Sequence, residues 1–237
     1  MNNELYDKLK NTSRVKTALA DEIMNEIGLR VVSQTYEAGD YLDDETALAE
    51  RYQVSKGVIH DAIKSLTLKG LLEARRGIGI RVRHRRLWKL LDDDVLSWMI
   101  SSPANIDFYH QLMDIRLCFE PHMSHWAAER ATENDLANLD KAYLALVNAK
   151  SNEQVTMAMA VFHQGILQAA NNEFLNVIEG VIYCALLVKS ELAGSGKVLN
   201  DSLFDCYHAL YLSIKDNDGK RAAELSNQLL NTELSNS

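Results

Sequence analysis

Proline and glycine are scarce in this sequence. Only two prolines and eleven glycines occur in 237 residues. Tight turns rely on these two residue types, because they supply the backbone angles that turns require. Their scarcity argues against a β fold with many turns and favours helices.

The sequence also lacks long apolar runs and clustered cysteines. No uninterrupted apolar stretch reaches the roughly 18 residues of a membrane-spanning helix. The N-terminus reads Met-Asn-Asn-Glu-Leu-Tyr-Asp, without the basic and apolar regions of a signal peptide. Cys118, Cys184 and Cys206 stand far apart, without the spacing of a metal site. We therefore expect a protein of the reducing cytoplasm that has no membrane partner.

Charge is divided unevenly along the chain. The net charge is −8, yet residues 51–89 carry eleven Lys and Arg against two acids, Asp61 and Glu73. Residues 91–237, by contrast, carry nine bases and twenty acids. A basic island in an acidic chain is typical of a surface that binds a polyanion. Because the length suffices for two domains, the asymmetry predicts a nucleic-acid module joined to an acidic domain with a different task.

The basic island contains a helix-turn-helix pattern. A short helix, Glu45 to Tyr52, follows the capping acids Asp43-Asp44, and Ser55 stands at the N-cap position of a second helix, Lys56 to Lys69. One side of the second helix is apolar at helical spacing, with Val58, Ile59, Ala62, Ile63 and Leu66. The side chains left facing outward are those of Lys56, His60, Asp61 and Lys64, together with Gly57.

A basic hairpin follows. Gly70 ends the second helix, Leu71 to Ala74 is a short apolar run, and Arg75-Arg76-Gly77-Ile78-Gly79 has the composition of a hairpin turn. Ile80 to Arg83 then alternates as a strand does. A helix pair with a surface hairpin would also fit this pattern, but the positive charge favours a winged helix that binds DNA.

We predict a mainly α protein in four segments. Residues 1–12 are expected to form a loose N-terminal arm, 13–83 a winged helix-turn-helix domain, and 84–106 a basic linker with a short helix. From residue 107 to 237 the pattern predicts helices only, among them Glu133 to Lys150 and Glu173 to Leu192.

Several of these motifs resemble those of GntR-superfamily regulators. In the first half they are Asp43-Asp44-Glu45-x-x-Leu48-Ala49, Val54-Ser55-Lys56-x-Val58-Ile59-x-x-Ala62, Leu66-x-x-x-Gly70-Leu71 and the wing Arg76-Gly77-Ile78-Gly79. In the second half, the motifs are similar to those of the FadR-type branch, which carries an FCD ligand domain. They are Leu91-Asp92-x-Asp94-Val95-Leu96-x-Trp98, Arg116-x-x-x-Glu120-Pro121 and Trp126-Ala127-Ala128-Glu129-Arg130-Ala131. Within that branch, regulators of sugar-acid operons are the most similar group.

The resemblance implies a homodimer that binds a palindromic DNA operator and responds to a small carboxylate or sugar acid. The residues that it implies at the DNA are Thr46, Ser55, Lys56, Gly57, His60, Lys64, Arg75, Arg76, Gly77 and Gly79. The family usually has arginine at the positions of Lys56 and His60, and often at Thr46. Arginine reads guanine with two hydrogen bonds, so we expect a different operator sequence here.

The resemblance also implies a divalent metal site in many FCD domains, built from an Asp-x-x-x-His pair and two later histidines. Here His163 and His208 match the first two histidines, but Met159 stands at the aspartate position and Leu230 at or near the last histidine. A thioether and an aliphatic chain are poor replacements for these ligands. No cofactor is therefore expected with certainty, and zinc, nickel or manganese on His163 and His208 stays an alternative.

The effector site that the resemblance implies centres on Arg116. A buried arginine facing a cavity needs an anion, which the carboxylate of a sugar acid would supply. The expected pocket comprises Arg116, Glu120, His163, Lys189 and His208. Two plainer interpretations stay open: Arg116 forms an i,i+4 ion pair with Glu120, and the histidines are hydrogen-bonded residues inside a bundle.

The function predicted from these residues is that of a ligand-responsive DNA-binding repressor, not an enzyme. A metal-responsive switch on His163 and His208 is one alternative. A helical-bundle hydrolase fused to a DNA module is the other, although the sequence has no glycine-rich phosphate loop and no nucleophile motif.

Overall fold

The computed structural model describes residues 2–10, 19–75, 77–101 and 106–235. The chain divides into two compact units: 11–103, and 3–10 together with 104–237. We call them the head and the body, and each is described by itself. Within the described ranges, no helix is both long enough and apolar enough to cross a membrane.

The head combines helices with a small sheet. Its helices are α2 (Leu19–Val32), α3 (Glu45–Tyr52), α4 (Lys56–Leu68) and α5 (Asp93–Ile100), with a 3-10 turn at Arg85–Leu87. The strands β1 (Tyr41–Leu42), β2 (Leu72–Arg75) and β3 (Gly79–Val82) are antiparallel, with β3 in the middle. Arg75 pairs with Gly79 at the tip of the β2–β3 hairpin. This is the predicted winged helix-turn-helix.

Side-chain caps fix where α3 and α4 begin. Asp44 accepts hydrogen bonds from the amides of Thr46 (2.8 Å) and Ala47 (2.9 Å), and Ser55 accepts from the amide of Val58 (3.5 Å). Between the two helices, Gln53 has a left-handed backbone (φ 54°), which makes the turn short. The predicted apolar side of α4 is buried at Ile59, Ala62, Ile63 and Leu66.

Helix α5, expected in a linker, packs into the head. The Trp98 ring lies so close to α2 that a Cβ atom on Gly28 would be 2.5 Å from it. Trp98 also donates from Nε1 to Asn25 Oδ1 (3.1 Å), and Lys69 pairs with Asp92 (2.8 Å) and Asp94 (2.6 Å). The short helix that we predicted within 84–106 is thus α5, and burial of Trp98 holds it on α2.

The body is all-helical over its described residues. Its helices are α1 (Asn2–Leu9), α6 (Ile106–Arg130), α7 (Glu133–Asn148), α8 (Asn152–Ala169), α9 (Glu179–Ala193), α10 (Asp201–Lys215) and α11 (Gly219–Ser235). Helix α11 packs along α6, α7 along α8, and α9 contacts both α6 and α8. The mainly α fold class, with an all-helical second domain, is confirmed.

Helix α9 lies at the centre of the body. Every residue from Gly180 to Lys189 is buried, as expected for a helix that is apolar on all sides. The sequence predicted one helix from Glu173 to Leu192, but the structure has a 3-10 helix, Glu173–Ile178, before α9. Lys189 is therefore a charged residue on the most enclosed helix of the body.

Within the loose arm that we expected over residues 1–12, the described residues 2–10 are mostly helical and packed. Residues Asn2–Leu9 form α1, whose Leu5, Tyr6 and Leu9 are buried. Tyr6 meets the Tyr183 ring of α9 edge-on (centroids 6.5 Å apart), and Lys10 pairs with Glu179 at 2.9 Å. The prediction failed because these apolar side chains are buried by distant parts of the chain, which local sequence does not show.

Candidate functional site

The outward face of α4 is polar and partly basic, as predicted. Ser55, Lys56, Gly57, His60 and Lys64 are all exposed. Because Ser55 caps the helix, its first turn presents backbone amides and the Lys56 ammonium at the same end. Such a helix end suits contact with DNA phosphates and base edges.

A second helix restricts one of these side chains. His60 Nδ1 lies 3.0 Å from Glu45 Oε1 on α3. A carboxylate only accepts hydrogen bonds, so Nδ1 must carry a proton in this contact. The other ring nitrogen, Nε2, is left for a ligand. Thr46, beside Glu45, is exposed.

The wing is exposed at its tip. Gly77 (φ 80°) and Gly79 (φ 109°) have left-handed backbones that other residues rarely adopt, and Arg75 is exposed with a 3.3 Å pair to Glu73. Arg76, the remaining wing residue that we predicted at the DNA, lies outside the described residues. Arg85 in the 3-10 turn is also exposed, a basic residue that sequence reasoning assigned only to the linker.

The predicted effector residues Arg116, Glu120 and His163 do come together inside the body. The Arg116 side chain is fully buried on α6. It donates to Glu120 through Nε and through Nη2 (3.4 Å), and to Glu233 Oε2 through Nη1 (2.7 Å). Nη1 also contacts Met113 Sδ (3.4 Å), and Nη2 lies 3.2 Å from His163 Nε2. All five N–H donors of this guanidinium thus have partners.

His163 connects the two carboxylates of this buried cluster. Its Nδ1 lies 2.7 Å from Glu120 Oε2. Its Nε2 lies 2.9 Å from the hydroxyl of Tyr207, which donates to Glu233 Oε1 (3.0 Å). Nδ1 carries a proton in the contact with Glu120, because a carboxylate only accepts, and Nε2 lies within reach of both Arg116 Nη2 and the Tyr207 hydroxyl. We call Arg116, Glu120, His163, Tyr207 and Glu233 the buried polar cluster.

The ionisation of this cluster is set by opposing effects. Burial alone would raise the pKa of Glu120, but Arg116 and His163 outweigh it and lower that pKa to about 2. The pKa of Glu233 is lowered in the same way, mainly by Arg116. Burial would lower the pKa of Arg116, yet the two carboxylates raise it. Both acids and the arginine are therefore charged at neutral pH.

The Arg116–Glu120 ion pair, which we kept as the plainer alternative, is what the structure contains. Glu233 and Tyr207 complete it, and sequence reasoning missed both. A signal existed: Glu233 continues the buried positions Leu225, Leu229 and Leu230 of α11 at helical spacing. An acid within such a stripe needs a buried cation.

His208 does not join the cluster. It is exposed on α10, with Nδ1 2.7 Å from the Tyr143 hydroxyl of α7. The structure therefore separates its surroundings from those of His163, against the expectation of a shared pocket. The phenol at Nδ1 satisfies one ring nitrogen of His208 at the surface.

The residues present do not fit the metal site that the family resemblance implied. Met159 and Leu230 are fully buried and offer no hard donor, and the acids around His163 are engaged by Arg116. In the described part of the chain, no group of three or more His, Cys, Asp or Glu is placed to hold a metal ion. A guanidinium, not a metal ion, is the cation at the centre of the cluster.

Lys189, the last predicted effector residue, lies beside the cluster. Its side chain is 5% exposed, and Nζ is 3.7 Å from Glu233 Oε1, beyond hydrogen-bonding distance. Nζ has no hydrogen-bond partner among the residues that the structure describes. Burial lowers the pKa of Lys189, although Glu233 offsets part of that effect.

A winged head with an exposed basic helix, joined to an all-α body with a buried polar cluster, defines a two-domain transcription regulator. Comparisons with known families agree. The family model described as "Bacterial regulatory proteins, gntR family" matches residues 19–82, and the model described as "FCD domain" matches residues 111–232, about half of the chain. The chain belongs to the gntR family of bacterial regulators, with an FCD domain as its body. This family is not enzymatic, so the hydrolase alternative is wrong.

Curated relatives carry related names. The galactonate operon transcriptional repressor of Escherichia coli (strain K12) is 29% identical over 206 residues, 86% of this chain and 90% of the relative. The LutR regulator of Bacillus subtilis (strain 168) is 25% identical over 190 residues, 78% and 85% of the two chains. The Uxu operon regulator of E. coli K12 is 29% identical over 154 residues, 61% and 56%.

Solved structures support the fold. The Listeria monocytogenes regulator Lar aligns with a TM-score of 0.63 at 16% identity, covering 94% of this chain and 97% of that one. A Streptococcus agalactiae GntR protein aligns with a TM-score of 0.50 at 20% identity, covering 92% and 100%. At these identities the likeness shows the fold alone.

Proposed function

We propose that this protein is a homodimeric cytoplasmic repressor that binds a palindromic operator and releases it when a small carboxylate binds the body. The observation that carries the proposal is the exposed face of α4. There Lys56, His60 and Lys64 lie on a helix that is capped at Ser55 and backed by a buried apolar side. Three polar or basic side chains at helical spacing suit the major groove, which is wide enough for a helix.

The wing and α3 supply further contacts in this proposal. Thr46, Arg75, Gly77 and Gly79 would meet the sugar-phosphate backbone or the minor groove, as would Arg76. These contacts position the protein, while Lys56 and His60 at the start of α4 read the bases and Lys64 contacts a phosphate. Two heads related by the twofold axis of a dimer would read two half-sites about 34 Å apart, one turn of DNA.

The effector class follows from the charges of the body and from the names of the relatives. Galactonate is a sugar acid, and one relative is named as the repressor of the galactonate operon. Lys189, whose Nζ lies 3.7 Å from Glu233, is a buried cation that suits a carboxylate. Such a ligand would stabilise one of two states of the regulator and shift the population towards it.

The test is a binding experiment on the DNA upstream of the gene and of its neighbours. Fluorescence anisotropy at low ionic strength should show saturable binding to one labelled fragment and none of comparable strength to a scrambled fragment of equal length. Adding aldonates and hexuronates one at a time should release the DNA for at least one acid, while the uncharged alditols should not. A protein that prefers no upstream fragment, with or without acids, is not the repressor proposed here.

A further inference from the structure

A small cavity opens beside the buried polar cluster, at the end of the central helix. Its volume is about 170 Å³, and it lies between α9, the segment 194–200 and the start of α10. The residues that line it are Lys189, Leu192, Ala193, Lys197, Val198, Asn200 and Leu203. At about 30 Å³ per water molecule, this is space for a small organic acid or for roughly five waters.

Lys189 gives this cavity its chemistry. The residue is 4% exposed, and its ammonium has no hydrogen-bond partner in the described part of the body. A buried polar group without a partner is costly, and such groups in native proteins are rare. The nearest acid, Glu233, already accepts from Arg116 and Tyr207 and stands 3.7 Å from Nζ. The Lys189 ammonium can therefore still donate hydrogen bonds to a ligand.

Arg116 cannot play this part as the structure stands. Each of its five N–H groups already meets a partner: Glu120, Glu233, His163 or Met113. A ligand carboxylate at Arg116 would have to displace Glu233, which is fully buried. Displacement would leave the buried Glu233 carboxylate without its cation, so ligand binding at Arg116 would carry a large free-energy cost. The Arg116 guanidinium instead holds Glu233 in place through its hydrogen bond from Nη1.

The rest of the cavity is also suited to an anion. Lys197, an exposed residue, places a second cation at its edge. Asn200 caps α10 and accepts from the amide of Leu203 (2.9 Å), so the positive end of a fifteen-residue helix faces this side. Leu192, Val198 and Leu203 supply an apolar wall for a carbon chain. No acid is among the lining residues.

We propose that this cavity is the anion subsite of the effector site, in which Lys189 binds the carboxylate of a small organic acid and Lys197 assists from the edge. The inference rests on the proposed metabolite response and deepens it. A carboxylate at Nζ would complete the hydrogen bonds of Lys189 and compete with its attraction to Glu233. Glu233 of α11 lies near Lys189 and pairs with Arg116 of α6. A ligand bound at Lys189 would therefore change the electrostatic surroundings of an ion pair that joins α6 and α11.

The experiment measures acid binding by isothermal titration calorimetry on the full-length protein. The probes are D-galactonate, D-glucuronate and L-lactate, with galactitol as the uncharged match of galactonate. Lys189→Met keeps the length of the side chain and removes its charge. It should weaken binding of the acid that the native protein binds by at least tenfold. Lys197→Met should weaken it about threefold, since an exposed charge contributes less. Lys215→Met, an exposed lysine of α10 outside the cavity, is the matched control and should leave the affinity unchanged.

Folding of the variant is checked separately. Because Lys189→Met removes an ammonium that makes no hydrogen bond to the described residues and leaves Glu233 paired with Arg116, its melting temperature without acid should stay close to that of the native protein. Equal acid affinity of the native and Lys189→Met proteins would overturn the subsite and leave a metabolite response at another place. If the native protein binds none of the acids, both the subsite and the metabolite response fail. Operator binding by the same preparations reports separately on the DNA-binding function.

Discussion

A neighbouring carboxylate restricts how His60 on α4 could contact a base in the proposed operator complex. The contact with Glu45 places a proton on His60 Nδ1, and in the neutral ring Nε2 is then an acceptor. An arginine at this place would donate to guanine O6 and N7. An acceptor instead suits the amino groups of adenine or cytosine, which donate in the major groove. In the proposed operator complex, His60 would therefore favour a different base from the guanine that an arginine would select.

We expect the native protein to prefer adenine or cytosine at the base position that His60 meets. Glu45→Ala frees the ring to present either nitrogen, so the preference should shrink severalfold, by about 1 kcal/mol. Competition binding at pH 8 with operators carrying each of the four base pairs measures this. To identify this position, each base pair of the operator is varied in turn. At the position that His60 contacts, the affinity of His60→Ala should not depend on the base pair.

Lys64→Ala is the control for this prediction, because loss of a phosphate contact should weaken all four operators about equally. A native preference for guanine at that position would contradict the assigned proton placement.

The buried polar cluster makes the body sensitive to acid. The pKa of Glu120 is about 2 in the folded protein and about 4.5 ordinarily. A lowered carboxylate pKa contributes stability above the unfolded value, and that contribution is lost as pH falls from about 4.5 to about 2. The shift is equivalent to on the order of 3 kcal/mol. Urea unfolding followed at pH 7, 4.5 and 3 should show this loss.

Glu120→Gln separates this contribution from those of other acids. The variant should lose about 3 kcal/mol at pH 7, because Arg116 keeps only Glu233 as an ionic partner. Its stability should then change less between pH 4.5 and 3 than that of the native protein. Glu224→Gln, at an exposed acid of α11, should behave like the native protein. If Glu120→Gln has the native acid dependence, Glu120 is not the group responsible.

At the scale of elements, sequence patterns succeeded where local chemistry decides the structure. Helix α4 was predictable because its cap and its apolar side lie within fifteen residues. Helix α1 was not, since its buried Tyr6 packs on Tyr183, more than a hundred positions away. The same holds for the site. The Arg116–Glu120 pair is one turn apart and could be foreseen, whereas Glu233 reaches Arg116 only through the packing of α11 on α6.

Helix α1 is predicted to stabilise the body. Tyr6→Ala removes a fully buried ring that packs on Tyr183 and should destabilise the body by about 3 kcal/mol, the range for loss of a large buried side chain. Chemical unfolding followed by circular dichroism measures the loss. Glu4→Ala, at an exposed position of the same helix, should cost less than about 0.5 kcal/mol. Equal stabilities of the two variants would mean that α1 adds nothing to the body in solution.

At the scale of the molecule, an acidic protein is proposed to bind an acidic polymer. The net charge of −8 opposes such binding, and residues 91–237 hold most of the acids. Favourable contacts must therefore come from the head, above all from α4 and the wing. Each phosphate that a lysine or arginine neutralises releases condensed counterions, so binding weakens as salt rises. The slope of log K against log salt concentration counts these contacts and is independent of which bases are read.

This slope also reports how many heads bind at once. Lys64→Ala removes one phosphate contact per head, which lowers the slope by about 0.9 for one head and by about 1.8 for two. Because we propose a dimer on a palindromic operator, we expect the larger value in anisotropy titrations between about 50 and 200 mM salt. Lys215→Ala, an exposed lysine of the body, should leave the slope unchanged. A decrease near 0.9 would mean that a single head contacts the DNA through Lys64, and the twofold arrangement would have to be abandoned even if operator binding itself is strong.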